Sequence, residues 1–326
     1  MNLVLNTYGS SLCKENNSFV IIHKDGRQLI ASDHIKTITI SKGASITSDA
    51  ALMAIENGIE VLFVDHAGMP IGRLWSVKYG SISTIRRNQL DFSLSENAIE
   101  WIKKVIIQKI DNQVALLYSL MPENYINKTN VDASINRINV YSKKIAKLNG
   151  SSIVDIAPSL RGWEGAASKI YFETLAFFLP TEYKFIIRSQ HPALDIFNCL
   201  LNYGYGMLYG KIEGALIKAG IDPYVGVFHR DDYNRPVLVF DIIEIFRVWI
   251  DYIVFNLCMQ NAINEDCYCK KADGSYWLEA LGRRILIQSV NDYFAEVINM
   301  NGIDRSRTTH IELYAQNLAQ MFLKNT

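Results

Sequence analysis

Residues 220–251 read GIDPYVGVFHRDDYNRPVLVFDIIEIFRVWID. Pro223 and Gly226 break the first half into a loop, His229 arrives among charges, and beyond Pro236 the segment is almost wholly apolar, as a buried helix would be. Two carboxylates interrupt it. Asp241 and Glu244 stand three residues apart, on one helical face, bracketed by Val, Phe and Ile. Two ionised carboxylates held close in such a setting repel and lose solvation, so positive charge must sit between them or one must take a proton. A divalent cation is the simplest candidate. The other reading is an internal salt bridge, since Arg247 follows Glu244 by three residues and Arg235 is near.

A chain of 326 residues suffices for roughly two domains, and 49% hydrophobic with 20% charged residues is a globular balance. The net charge of zero argues against an even positive coat but leaves room for basic patches. Five cysteines, Cys13, Cys199, Cys258, Cys267 and Cys269, form no CxxC pair, which favours free thiols in a reducing compartment. Cys267-x-Cys269, with no second pair, is a poor metal site. No basic region with an apolar core precedes Tyr8, and residues 237–258, though near membrane-spanning length, contain Asp241, Glu244, Arg247 and Asp251. The expectation is a cytoplasmic protein with no membrane association.

Along the chain, 1–80 carry short apolar runs between turn residues, with Asp25-Gly26 as a hairpin signal and a helix that Ser48 would cap, ending at Gly58. That is a mainly β domain with one helix. The polar stretch 81–94 has the makings of a linker. Over 95–326 the pattern turns helical: Ser93-x-x-Glu96 reads as a capping box ahead of Ile99, Ile102, Ile106, Ile110 and Val114, and helical segments follow over 131–148, 159–178, 192–219, 236–262, 279–300 and 305–323. The fold class is α+β, a β domain followed by a larger all-α domain.

Several positions invite a chemical reading beside a plain one. Glu164, between Gly162 and Gly165, would lie near the start of a helix, where a glutamate usually complements the dipole; the glycines suggest that something passes close to the backbone. His229 is a loop histidine able to ligate metal or move protons. Together Glu164, His229, Asp241 and Glu244 supply hard oxygens and an imidazole, which suits Mn²⁺ or Mg²⁺ better than structural zinc. Arg188, Tyr203, Tyr205 and Lys211 fall on what reads as one long helix, where tyrosines among basic residues either stack on bases and meet phosphates or belong to the core. Lys143, Lys144 and Lys147, and Arg283 with Arg284, read singly as solvated faces.

In order, Gly162-x-Glu164-Gly165, Asp195-x-x-Asn198-x-x-Leu-Asn-Tyr-Gly-Tyr205, Gly220-x-Asp-Pro-x-x-Gly226-x-x-His229 and Asp241-Ile-Ile-Glu244-x-Phe-Arg247 resemble the CRISPR-associated adaptation integrases, which insert new spacers into a repeat array. Ser45 to Gly72 resembles the same family's β domain. The resemblance implies a β-sandwich-like N-terminal domain that dimerises and a helical catalytic domain. It implies Glu164, His229 and Glu244 as ligands of Mg²⁺ or Mn²⁺, with Asp241 supporting them. It also implies a homodimer working with a small second adaptation subunit on double-stranded DNA, both the incoming segment and the repeat array. Val248 departs from the proline often found there; Asp251 keeps its acidic place.

That ligand set would favour in-line attack of a DNA 3′-hydroxyl on a phosphodiester, or of water in its stead. Arg188, Lys211, Arg230 and Arg235 are candidate phosphate contacts, with Tyr203 and Tyr205 as stacking candidates. Two alternatives stand: a solitary mobile-element integrase or branched-DNA nuclease, and a catalytically silent DNA-binding scaffold.

Overall fold

The computed structural model describes residues 2–24, 26–35, 37–64, 70–74, 82–120, 125–229 and 235–324. They form two compact units that divide between Ile85 and Arg86.

The first contains β1 (Asn2–Leu5), β2 (Ser11–Glu15), β3 (Ser18–His23), β4 (Gly26–Ala31), β5 (Thr37–Ser41), β6 (Ser45–Ile46), α1 (Ser48–Glu56), β7 (Glu60–Val64) and β8 (Pro70–Leu74). Period-two alternation aims the strands: in β5, Ile38 and Ile40 are buried while Thr37, Thr39 and Ser41 are only partly so. One sheet runs β1-β5-β7-β8 and the other β4-β3-β2-β6. Leu3, Leu5, Ile38, Ile40 and Val61 from the first meet Leu12, Phe19 and Ile30 from the second in one core, joined by Ala50, Met53 and Ala54 of α1. The result is the sandwich-like β unit that the resemblance implied. Thr47, not Ser48, caps α1 by accepting from the Ala50 amide, and Gly58 adopts the left-handed φ of +65° after it. Asp25 of the hairpin signal lies outside the described residues; β3 and β4 pair antiparallel around it.

The second unit is helical: α2 (Ile82–Ser93), which begins before the divide, α3 (Glu96–Ser119), α4 (Tyr125–Ala146), α5 (Ile153–Phe178), α6 (Ile196–Lys218), α7 (Val237–Met259), then β9 (Tyr268–Lys270), β10 (Tyr276–Leu278), α8 (Ala280–Ala295), β11 (Val297–Met300), β12 (Ile303–Ser306) and α9 (Arg307–Lys324). Three expectations are corrected. The linker over 81–94 is helix from Ile82, because its polar Asn88 and Gln89 are buried and hydrogen-bonded: Asn88 donates to Phe322 O at 2.8 Å, and Gln89 donates to Asp222 O at 2.7 Å. Ser93 donates to Leu90 O at the end of α2, so it does not cap α3. The helix expected through Arg188 begins only at Ile196, where Asp195 Oδ1 accepts from the Asn198 amide at 2.7 Å. Two short antiparallel hairpins, β9–β10 and β11–β12, also interrupt the helices.

Helix α7 is buried along nearly its whole length and packs between α3 and α6, which explains its continuous apolar sequence. Among the described residues no helix is long and apolar enough to cross a membrane. The α6–α7 contact requires Gly204, where an added Cβ would lie 2.6 Å from Ile250 Cγ2. Gly204→Val is therefore expected to cost about 1–3 kcal/mol in urea unfolding through overpacking. Gly206→Ala on the same helix, with nothing within 4 Å of the added carbon, is expected to raise stability slightly.

Candidate active site

Asp241 is fully buried and spends both oxygens on the loop that precedes its helix. Oδ2 accepts from the Val227 and Phe228 amides at 2.8 and 3.1 Å, and Oδ1 accepts from the His229 amide at 3.1 Å and meets His229 Nδ1 at 2.8 Å. The carboxylate keeps the ring proton on Nδ1 and turns Nε2 away from itself. Gly226 makes the turn possible, since a Cβ there would lie 2.5 Å from His229 O. Upstream, Gln89 donates to Asp222 O and Val225 O and accepts from the Asp222 amide. The Arg161 guanidinium lies over the Phe228 ring, 4.9 Å from its centroid. The histidine loop is thus gripped by α2, α5 and α7.

Three residues further along α7, Glu244 serves a different partner. Lys109 of α3 is buried, and its ammonium lies 2.6 Å from Glu244 Oε2 and pairs with Glu164 Oε1. Ser168 donates to the same Glu164 oxygen at 2.9 Å, and Arg247 Nε donates to Glu244 Oε1 at 2.9 Å. Burial opposes the Glu244 charge, but Arg247 and Lys109 outweigh it and hold the carboxyl down at about 2. Burial likewise opposes the Lys109 charge, and Glu244 and Glu164 outweigh it, so its pKa is raised. Below them Asp251 accepts hydrogen bonds from Tyr171 and Tyr205, and the Arg247 guanidinium sits 4.7 Å from the Tyr205 ring centroid.

The expectation that Asp241 and Glu244 share one cation is therefore corrected: Asp241 turns to the loop amides and Glu244 to Lys109 and Arg247. Glu164 lies well inside α5, which begins at a Ser152–Asp155 capping box, and not in its first turn. Among the described residues nothing lies within 4 Å of where a Cβ would be at Gly162 or Gly165. Among the described residues no group of three or more His, Cys, Asp and Glu side chains is gathered to hold a metal ion. The reason is visible at the centre, where the Lys109 ammonium already stands between the two glutamates. In kind the donors fit Mg²⁺ or Mn²⁺: two carboxylates, Glu164 and Glu244, converge on one positive charge. An ion bound there would take the place of the ammonium.

Of the expected DNA contacts, Arg188 is a strut, donating to Asn198 Oδ1 and Asn202 Oδ1 at 2.6 Å each. Tyr205 is buried with its hydroxyl on Asp251, which supports the core reading of that residue. Lys211 lies over the Phe294 ring, its pKa lowered by burial. Tyr203 is half-buried, Arg235 is exposed just before α7, and Arg230 lies outside the described residues. A cavity of about 690 Å³ opens onto the carboxylates, lined by Lys109, Glu164, Gly165, Glu244, Arg247 and the loop around Ile186 and Ile187. Sequence reasoning missed Lys109, although a lysine on the same helical face as Ile102, Ile106 and Gln113 is a signal in itself.

The family model described as CRISPR associated protein Cas1 matches residues 3–292. A curated relative, CRISPR-associated endonuclease Cas1 1 of Archaeoglobus fulgidus, is 29% identical over 98% of this chain and 95% of its own. Among solved structures, a casposase bound to an integration product superposes with a TM-score of 0.71 at 20% identity, over 100% of this chain and 96% of that one. A Cas6-RT-Cas1–Cas2 complex gives 0.73 at 21% over 99% of this chain, which spans about a third (35%) of that longer polypeptide.

Lys109→Met leaves Glu164 and Glu244 facing each other without their cation, and is expected to cost about 3–5 kcal/mol in denaturant unfolding. Adding Glu244→Gln to it should restore part of that loss. The pH dependence has a definite sign. The folded-state pKa of Glu244, about 2, lies below its ordinary 4.5, so its contribution is present above about pH 4.5 and fades as pH falls towards 2. Unfolding of Glu244→Gln should lack that slope in the same window.

Proposed function

The chain belongs to the Cas1 family, and from that membership we propose that it is a divalent-metal-dependent DNA integrase and endonuclease that inserts short foreign DNA segments into a CRISPR array. The observation that carries this reading is the convergence of Glu164 from α5 and Glu244 from α7 on one positive charge. The name of the Archaeoglobus relative and the subjects of the two similar structures support it. Glu164, His229 and Glu244 would hold Mg²⁺ or Mn²⁺. When bound, such an ion polarises the phosphate under attack and stabilises charge on its oxygens.

The rest falls to the protein's own groups. Asp241 fixes the His229 ring so that Nε2, not Nδ1, faces the reaction. Arg247, beneath Glu244, keeps that carboxylate ionised and adds positive potential where a phosphate must approach. The open backbone at Gly162 and Gly165 lets a DNA strand come close to Glu164. The 3′-hydroxyl oxygen of the incoming segment bonds to the phosphorus as the target strand's own P–O3′ bond breaks, the proton passing to the departing 3′-oxygen by way of solvent; water in place of the 3′-hydroxyl cuts the strand. The expected partners are double-stranded DNA, a second copy of this chain and a small second subunit; the Cas2 named in the complex above supports the last.

A second reading, a mobile-element integrase, is favoured by the casposase likeness. Joining assays with a plasmid bearing either a CRISPR repeat or transposon ends separate the two. In that assay with Mn²⁺, Glu164→Ala, His229→Ala and Glu244→Ala should each lower joining by about a hundredfold or more, while circular dichroism shows a folded chain. Near-normal joining by any of the three contradicts the assignment.

A further inference from the structure

The cavity that holds the carboxylates has an unusual lip. Ile186 and Ile187 line it, yet their side chains face solvent, 97% and 67% exposed. Exposed isoleucines on a slack loop would be unremarkable, but this loop is pinned on both sides. Before it, Phe185 is buried and stacks on Phe197 with centroids 4.8 Å apart and planes at 3°. After it, Arg188 is held by Asn198 and Asn202, its guanidinium over the Phe172 and Tyr205 rings. Asn198 also donates to Ile187 O at 2.9 Å, and Asn202 donates to Gln190 O at 2.7 Å. A satisfied polar network therefore presents two bare apolar side chains in a fixed position.

Resting on the function proposed above, we infer that Ile186 and Ile187 are a wedge that enters the base stack of the target duplex, opening the step beside the phosphate under attack. The occupant must suit the whole cavity, and DNA does. Its bases offer flat apolar faces to the isoleucines, and the four basic side chains on the same walls, Lys109, Lys169, Arg188 and Arg247, outnumber the three carboxylates, Glu164, Glu173 and Glu244, which suits an anionic backbone. Gly165 lines the same cavity, and a Cβ added there would meet no described atom within 4 Å. A protein partner seated on the isoleucines would instead cap the cavity and bar the substrate from Glu164 and Glu244. Inserted aliphatic side chains unstack and kink duplex DNA, and the cost of unstacking is offset by the apolar surface covered.

The test uses the full-length chain with Mn²⁺, a donor with a free 3′-hydroxyl, and a duplex target carrying 2-aminopurine beside the mapped joining point. Ile186→Ser/Ile187→Ser alters only exposed side chains and should keep the thermal midpoint. With wild-type protein the 2-aminopurine fluorescence should rise about threefold on binding, and with the variant it should stay flat. Joining into intact duplex should fall about tenfold or more in the variant, but into a target mismatched at that step it should remain within about twofold of wild type. Ile186→Leu/Ile187→Leu should restore both readouts. Equal joining into intact duplex by wild type and serine variant, or silent fluorescence during wild-type joining, overturns the wedge alone. A lower oligomeric mass for the serine variant with unchanged fluorescence assigns the isoleucines to another copy of the chain and also overturns it. Wild type joining neither target overturns the underlying function as well.

Discussion

One ammonium ties the helical unit together. Lys109 reaches from α3 into the space where α5 and α7 each deliver a glutamate, so three helices far apart in sequence share a single electrostatic contact. Glu244 could not be buried there alone, because an ionised carboxylate without a counter-charge costs more than its helix could recover by packing. The contact therefore fixes the spacing of the helices as well as the charge of the site. Arg247 then neutralises the second oxygen of Glu244, and its own charge is supported by Tyr205 and Asp251 below.

Helix α7 shows how one element can set three acids to different ends. Asp241, Glu244 and Asp251 are all buried, but the first takes loop amides and an imidazole, the second two cations, and the third two phenols. Their environments separate them chemically: cations hold Glu244 low, whereas burial pushes Asp251 up. The apolar frame that first drew attention to the segment makes these distinctions sharp, since water is not present to level them.

Much of this was legible in residues 220–251 and in the ordered motifs around them. The buried helix after Pro236, the loop carrying His229 and the change from β to α character all follow from periodicity and turn residues. What escaped was whatever depended on long-range pairing. Gln89 looked like part of a polar connector because its partners, Asp222 and Val225, lie more than a hundred residues away. For Tyr205 the sequence left base stacking and core both open, because it cannot show that Asp251 takes the hydroxyl, nor that Asn198 and Asn202 hold Arg188 in place. Spacing put Asp241 and Glu244 on one face but could not say that their oxygens turn to opposite neighbours.

Because Lys109 and Arg247 together balance the two glutamates, assembly of the helical unit need not wait for an ion, in contrast to small zinc modules that stay unfolded until loaded. A newly made chain can reach its native state in metal-poor surroundings, and chelation should leave it intact. Under the proposed function, loading would be an exchange at a finished site, reversible without any cycle of melting and refolding.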